Sequence, residues 1–291
     1  MRTRSLKPLL FILPSFLLAF IIIAYPIIDL VRLSFHDVGT FGEIHGFIGL
    51  ENYRYVIEDE LFTEVLLRTL YWTFFVVAGT VAISIPIALI LNEDFYGKGI
   101  ARTIIMLPWA ISLAMTAVIW KWLLNPDYGM LNHLLMNLGL IHENVGWLAD
   151  ADTAFPLQIL IGILVSIPFT ISILMGGLTS IPSDIYEAAY LDGSTYLQRL
   201  KTLTLPLLKP FINIAVVLNV IYVFNSFPII WILTEGGPSN STDILPTYLY
   251  KLAFREGEVG LAASLSVIML LILLGFTVIY AYFAMKKERS A

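Results

Sequence analysis

Apolar positions in this chain run in long blocks rather than in stripes. Six stretches, at about 9–30, 70–91, 103–124, 156–178, 211–233 and 261–283, are each apolar on every side for some twenty residues. A helix needs ~20 such residues to cross the hydrocarbon core of a bilayer. The blocks are too long and too uniform for outer-membrane barrel strands, which alternate from residue to residue. The pattern therefore predicts an all-α polytopic membrane protein with six transmembrane helices, forming one transmembrane domain over 1–291. Met1-Arg2-Thr3-Arg4 before the first block has the charge of a secretory signal. The apolar run exceeds the usual 7–15 residues and no A-x-A site follows, so it reads as an uncleaved first helix.

Composition agrees. Of 291 residues, 58% are hydrophobic and 13% charged, against about 25% charged in a soluble domain. Mean hydropathy is +0.83. So little charge cannot coat a globule, which argues against an ordinary soluble enzyme. There is no Cys, which removes disulfides, thiolate metal sites and cysteine nucleophiles.

Charge also orients the spans. With both termini cytoplasmic, 11 of 17 basic and 6 of 22 acidic residues fall inside, a net +5 against −10 outside. Trp147 and Tyr250 are candidate interfacial anchors.

The middles of the six spans carry no Asp, Glu, Lys, Arg or His, so a proton relay of the chain's own is not expected. His36, His45, His133 and His142 fall in outer loops without ligand spacing. No G-x-x-x-x-G-K-[ST] is present, so energy for uphill transport must come from another subunit. Polar residues at depth are uncharged: Asn219, Tyr222, Asn225 and Ser226 on one face of the fifth span, Ser166, Thr170 and Ser172 on the fourth, and Trp109, Ser112 and Thr116 on the third. One reading is hydrogen-bonded glue between helices. The other is a path lined by hydroxyls, amides and aromatic faces, suited to a neutral polyhydroxylated solute. Pro26, Pro86, Pro108, Pro168 and Pro228 are expected to interrupt the spans.

The segment 181–210 reads as two short helices at the inner surface. Pro182 precedes the first. Asp184 has N-cap character with Glu187 three residues on, and Ile185, Ala188, Ala189 and Asp192 share a face. Gly193 is a natural stop. Thr195 with Gln198 caps the second helix, and Pro206 and Pro210 are expected to end it. A short amphipathic helix here suits docking to a soluble partner. A plain surface hairpin, in which Glu187 only caps its own helix, is the alternative.

Glu187-Ala188-Ala189, Asp192-Gly193 and Leu205-Pro206 with Pro210 resemble the EAA loop of binding-protein-dependent ABC importer permeases. Asn225-Ser226-Phe227-Pro228 through Gly236-Gly237-Pro238, Asn52-Tyr53, and Leu124-Asn125-Pro126-Asp127-Tyr128-Gly129 with Asn132 resemble the carbohydrate-uptake permeases of that superfamily, in their six-span form. The resemblance covers essentially the whole chain.

It implies a type I ABC importer permease fold and a place in the cytoplasmic (inner) membrane of a bacterium or archaeon. It implies a second homologous permease, forming a heterodimer, an ATP-binding cassette ATPase dimer that holds Mg-ATP, and an extracytoplasmic solute-binding protein. No cofactor is implied in this chain, and no nucleic acid. The coupling residues would be Glu187, Ala188, Ala189, Asp192 and Gly193. The solute path would carry Trp109, Gly162, Ser166, Phe169, Tyr222, Val223, Asn225 and Ser226, with Val223 and Gly162 departing from the maltose permease's pattern. Alternatives are an ABC permease for an amino acid, peptide or oxyanion, an autonomous carrier or channel, and a membrane enzyme, for which no catalytic constellation is present.

Overall fold

The computed structural model describes residues 7–288, with side chains over 11–283. Arg2, Arg4 and Arg289, and the side chains of Lys7, Lys286 and Lys287, lie outside the described residues.

The chain divides into two compact units, one containing the chain up to Glu64 with Tyr248–Phe276, the other Val65–Thr247 with the chain from Thr277 on. Among the described residues, five helical segments are long and apolar enough to cross a membrane, and a bent pair makes a sixth if it is one span.

The first unit starts with α1 (Lys7–Ala19), a π turn at Phe20–Ala24, and α2 (Tyr25–Leu33). A ribbon of β1 (His36–Val38) and β2 (Ile44–Phe47) follows, then α3 (Glu51–Glu58). Asn52 and Tyr53 are the staples of this segment. The buried Asn52 amide donates to Ser34 O (3.1 Å) and His36 O (2.9 Å), and the Tyr53 hydroxyl lies 2.6 Å from Ser34 Oγ. In the same unit, Tyr248 donates from its hydroxyl to the Asp59 carboxylate. Burial first, and that bond second, push the Tyr248 hydroxyl well above its ordinary range.

The second unit is built on α4 (Glu60–Asn92), α5 (Lys98–Met106), α6 (Leu113–Leu123), α7 (Met130–Asn137) and α8 (Ala151–Thr179). Then come α9 (Ser183–Leu191), α10 (Tyr196–Arg199), α11 (Leu205–Phe224), α12 (Pro228–Thr234) and α13 (Leu245–Tyr250). The last helix, α14 (Val259–Glu288), runs from the first unit into the second. Trp72, Val76, Ile161, Val223 and Ile230 form one core cluster of this unit, and Ala88, Leu174, Leu178 and Leu208 another.

Prolines act less uniformly than expected. Pro86 and Pro168 sit inside unbroken helices. Pro206 and Pro210 do not end the segment that begins at α10, which continues into α11. A π turn at Leu200–Thr204 widens the helix just ahead of Pro206, relieving the clash between its ring and the preceding turn. The real breaks are elsewhere. The expected third span bends by 94° between α5 and α6. Pro108 tightens Leu107–Ala110 into a 3-10 turn, and Ile111 and Ser112 are extended. The Ser112 hydroxyl then accepts from Met115 N (3.3 Å) and caps α6. Ser112 thus caps α6 and stays exposed. The fifth span likewise breaks at Asn225–Phe227, and Pro228 restarts the helix as α12.

Candidate functional site

Two regions carry the candidate chemistry, both in the second unit. The first is the hairpin of α9 and α10. Pro182, not Asp184, occupies the N-cap position of α9. Its ring presets the backbone, and Asp184 falls within the first turn, where a negative charge suits the positive helix end. Gly193 takes φ +73°. Ser194 N donates to Ala189 O (3.1 Å) and Gly193 N to Tyr190 O (3.0 Å), the paired bonds of a Schellman closure. The Thr195–Gln198 capping box is complete, with Thr195 N to Gln198 Oε1 at 2.8 Å and Gln198 N to Thr195 Oγ1 at 3.4 Å.

Glu187, Ala188, Asp192 and Gly193 are exposed and Ala189 is half-buried. Glu187 makes no ion pair or hydrogen bond among the described residues, and Ala188 adds no bulk beside it. The hairpin is stiffened from below. Arg199 donates from Nη1 to Ser194 O (2.6 Å) and lies over the Tyr190 ring (5.8 Å), while the Tyr186 hydroxyl is 3.2 Å from Thr204 Oγ1. An open groove of about 580 Å³ lies along α9, bordered by Glu93, Tyr186, Glu187, Tyr190, Tyr196 and Arg199 among others. The motif pattern pointed to Glu187 but not to Glu93, which follows α4 and which only the fold brings to α9, nor to Tyr186, Tyr190 and Tyr196, which belong to the hairpin itself but not to the motif.

Gly193→Val is expected to cost the hairpin about 2 kcal/mol, because a β-branched side chain is strained at positive φ. Limited proteolysis in membranes checks it: cleavage within 181–210 should quicken.

The second region is the face carried by α8, α11 and the break before α6. The structure divides the eight residues expected there. Trp109 is 57% exposed, and its ring lies 6.1 Å from that of the half-buried Phe169. Tyr222 is 43% exposed, and the exposed Asn225 caps Ile221 O (2.8 Å). Gly162, Ser166, Val223 and Ser226 are enclosed by the chain's own packing. A Cβ on Gly162 would stand 2.9 Å from the Trp72 indole, whose N–H donates to Val223 O (3.0 Å). Ser166 returns its hydroxyl to Gly162 O (2.8 Å). Asn219, expected on the same face as Tyr222, turns inward. Its amide donates to Thr170 Oγ1 (2.9 Å) and Ala215 O (2.8 Å), and the first of these bonds ties α11 to α8. For Asn219 and Thr170 the glue reading applies.

The two remaining motif segments are polar staples. Asn132 is buried and its amide donates to Pro126 O (3.1 Å) and Val145 O (3.0 Å), while its carbonyl accepts from the Trp147 indole (2.7 Å). Gln158 donates to Thr234 Oγ1 (2.9 Å), which is 2.7 Å from Thr242 Oγ1, and Thr242 donates to Gly237 O (2.8 Å).

A sequence model of the family described as "binding-protein-dependent transport system inner membrane component" matches residues 81–289. The chain belongs to that family. The match takes in the α9 hairpin, both helix breaks and the whole candidate path. A probable ABC transporter permease protein of Brucella suis biovar 1 (strain 1330) is 55% identical over 100% of both chains. The trehalose/maltose transport system permease protein MalF of Thermococcus litoralis is 33% identical, covering 93% of this chain and 91% of that one. The fold is that of a bacterial ABC transporter involved in the import of the acidic polysaccharide alginate, with a TM-score of 0.86, 22% identity, and coverage of 97% and 96%. This permease is therefore a mostly helical inner-membrane transport component, its one departure from the all-α expectation among the described residues being the β1–β2 ribbon.

Proposed function

We propose that the chain is one of two permease subunits of an ATP-binding-cassette importer that carries a sugar or sugar-like solute across the cytoplasmic membrane. The observation that carries the reading is the capped and closed α9–α10 hairpin, which presents Glu187, Ala188 and Asp192 at the surface of a chain of this family. Glu187, Ala188, Ala189, Asp192 and Gly193 make the contact with a separate ATPase subunit, which supplies both the Mg-ATP site and the hydrolysis. A hairpin pinned at Gly193, Thr195 and Arg199 transmits motion as a lever and does not absorb it as a hinge.

The solute class rests on the likeness to the trehalose/maltose permease and on the chemistry of the face. Trp109, Phe169 and Tyr222 offer aromatic surfaces for C–H groups, and Tyr222 and Asn225 offer polar atoms for hydroxyls. Gly162, Ser166, Val223 and Ser226 shape that face from behind. A solute-binding protein delivers the solute from outside, and a homologous second permease completes the path. The bias of Lys and Arg supports both termini, with the hairpin, on the cytoplasmic side.

The test is a mild-detergent purification of the tagged chain from its native cells, followed by reconstitution into proteoliposomes. An ATPase subunit and a second permease should accompany it, and uptake of the sugar held by the companion binding protein should require ATP. Solute movement by the chain alone, without ATP, overturns the reading in favour of an autonomous carrier. Within the same assay Tyr222→Ala is expected to lower uptake about five- to tenfold with assembly unchanged, since one aromatic stacking contact and its hydroxyl are lost. Unchanged transport kinetics would move the solute contacts to the partner permease.

A further inference from the structure

A small cavity between α4, α5 and α8 belongs neither to the hairpin nor to the aromatic face. Its volume is about 170 Å³, and Leu91, Arg102, Met106, Ile171, Ser172 and Met175 border it. It sits at the end of the bundle that bears the hairpin, because Asn92 and Glu93, which follow Leu91, border the groove along α9.

Arg102 is half-buried. One Nη2 hydrogen reaches Leu91 O (3.1 Å), a carbonyl in the last turn of α4. That bond caps a helix end and uses one of the five guanidinium donors. The Nε is shut off from solvent and has no acceptor. Arg102 makes no ion pair among the described residues. The neighbouring cation on the same helix is committed: Lys98 Nζ donates to Asp94 Oδ1 (3.0 Å) and Asn92 O (2.9 Å).

A guanidinium cannot shed its proton to relieve the shut-off Nε, and an opposite charge in the cavity beside it is one remedy. Its planar fork matches oxyanions, and Ser172, whose hydroxyl now donates to Pro168 O (3.1 Å) and lies 3.4 Å from Met106 Sδ, borders the same cavity and can turn its hydroxyl to an anion there. The other walls are apolar. We propose that Arg102 and Ser172 form an oxyanion-binding site at the hairpin end of the bundle, taking a phosphate, sulfonate or carboxylate group. Two sources share this chemistry: the headgroup of an anionic lipid, for which basic pockets between helices on the cytoplasmic side are suited, and a free anion arriving from the aqueous phase, such as an acidic group on a solute.

The test uses the full chain with the subunits that co-purify with it, in lipid nanodiscs. In discs of phosphatidylcholine alone, inorganic phosphate is titrated by calorimetry. In discs that also contain phosphatidylglycerol, retained lipid is counted by native mass spectrometry. Wild type is expected to bind at least one of the two probes, with affinity or retention falling at least tenfold in Arg102→Gln and several-fold in Arg102→Lys, which keeps the charge but loses the fork. Phosphate binding assigns the site to free anions, and retention of phosphatidylglycerol alone assigns it to lipid. Ser172→Ala lies away from the Leu91 cap and gives a second reading, with a loss of several-fold, if Arg102→Gln fails to assemble. Binding of neither probe by wild type, or equal binding by wild type and the assembled variants, overturns the proposal.

Discussion

Glu187→Lys is expected to reduce ATP-driven uptake by more than tenfold while the permease still inserts and folds. Glu187 is exposed in the middle of α9 and has no partner within the chain among the described residues, and Glu and Lys are equally good helix formers. Reversing the charge therefore leaves the hairpin intact. The change falls on the surface proposed to meet the ATPase. Placing like charges together, or leaving a buried charge unpaired across an interface, costs ~2–5 kcal/mol, and each 1.4 kcal/mol is a factor of ten. Uptake in proteoliposomes and the amount of ATPase retained in mild detergent are the two measurements. Loss of both together locates the fault at docking. Wild-type uptake with normal assembly would take Glu187 out of the coupling surface.

Gly236→Ala is expected to lower thermal stability sharply. Gly236 sits at φ +84°, which costs a side-chain-bearing residue about 1–2 kcal/mol. The added Cβ would also overlap Asp243 Oδ1. Asp243 is fully buried and cannot give way freely. Its Oδ1 accepts from Thr247 Oγ1 (2.8 Å), Thr247 in turn receives Ile244 N (3.0 Å), and Arg68 Nη1 holds Asn240 O (2.8 Å) and Asp243 O (3.2 Å). Breaking one buried bond of this kind costs about 1–3 kcal/mol. Together the terms come to about 3 kcal/mol, or a fall in melting temperature of roughly 10 °C for a unit of this size. Differential scanning fluorimetry in mild detergent measures it. Gly176→Ala is the control: nothing lies within 4 Å of its added Cβ, and it should melt like the wild type.

The local signals that proved legible are those whose physics is itself local. Thr195 and Gln198 are three residues apart and close a capping box with no help from elsewhere. Gly193 ends α9 because only the backbone of α9 needs the left-handed turn. Asp184 was less legible. It has the chemistry of a cap, but Pro182 starts the helix two residues earlier. The prolines show the same limit. Pro108 breaks a span because Ile111 and Ser112 go extended and the Ser112 hydroxyl caps α6. Pro168 and Pro210 lie inside helices, because neighbouring turns and helices take up the hydrogen bonds a proline displaces.

The sequence by itself determined that the chain is a bundle of membrane helices, where its apolar blocks lie, and where the hairpin after α8 closes at Gly193 and is capped at Thr195. Those properties depend on transfer of apolar residues into lipid and on bonds between residues a few positions apart. Only the tertiary structure decided which polar residues inside the spans face inward. Asn219, Tyr222, Asn225 and Ser226 share one helical face by spacing. Yet Asn219 bonds to Thr170 across to α8, Ser226 is enclosed at the break, and Tyr222 and Asn225 stay exposed. The tertiary structure alone also placed Trp72 over Gly162 and left the Arg102 Nε unpaired above its cavity. In a membrane every side of such helices is apolar enough to be buried, so hydrophobicity does not say which side meets a neighbour. The choice falls to close packing and to the few polar groups that find partners across helices.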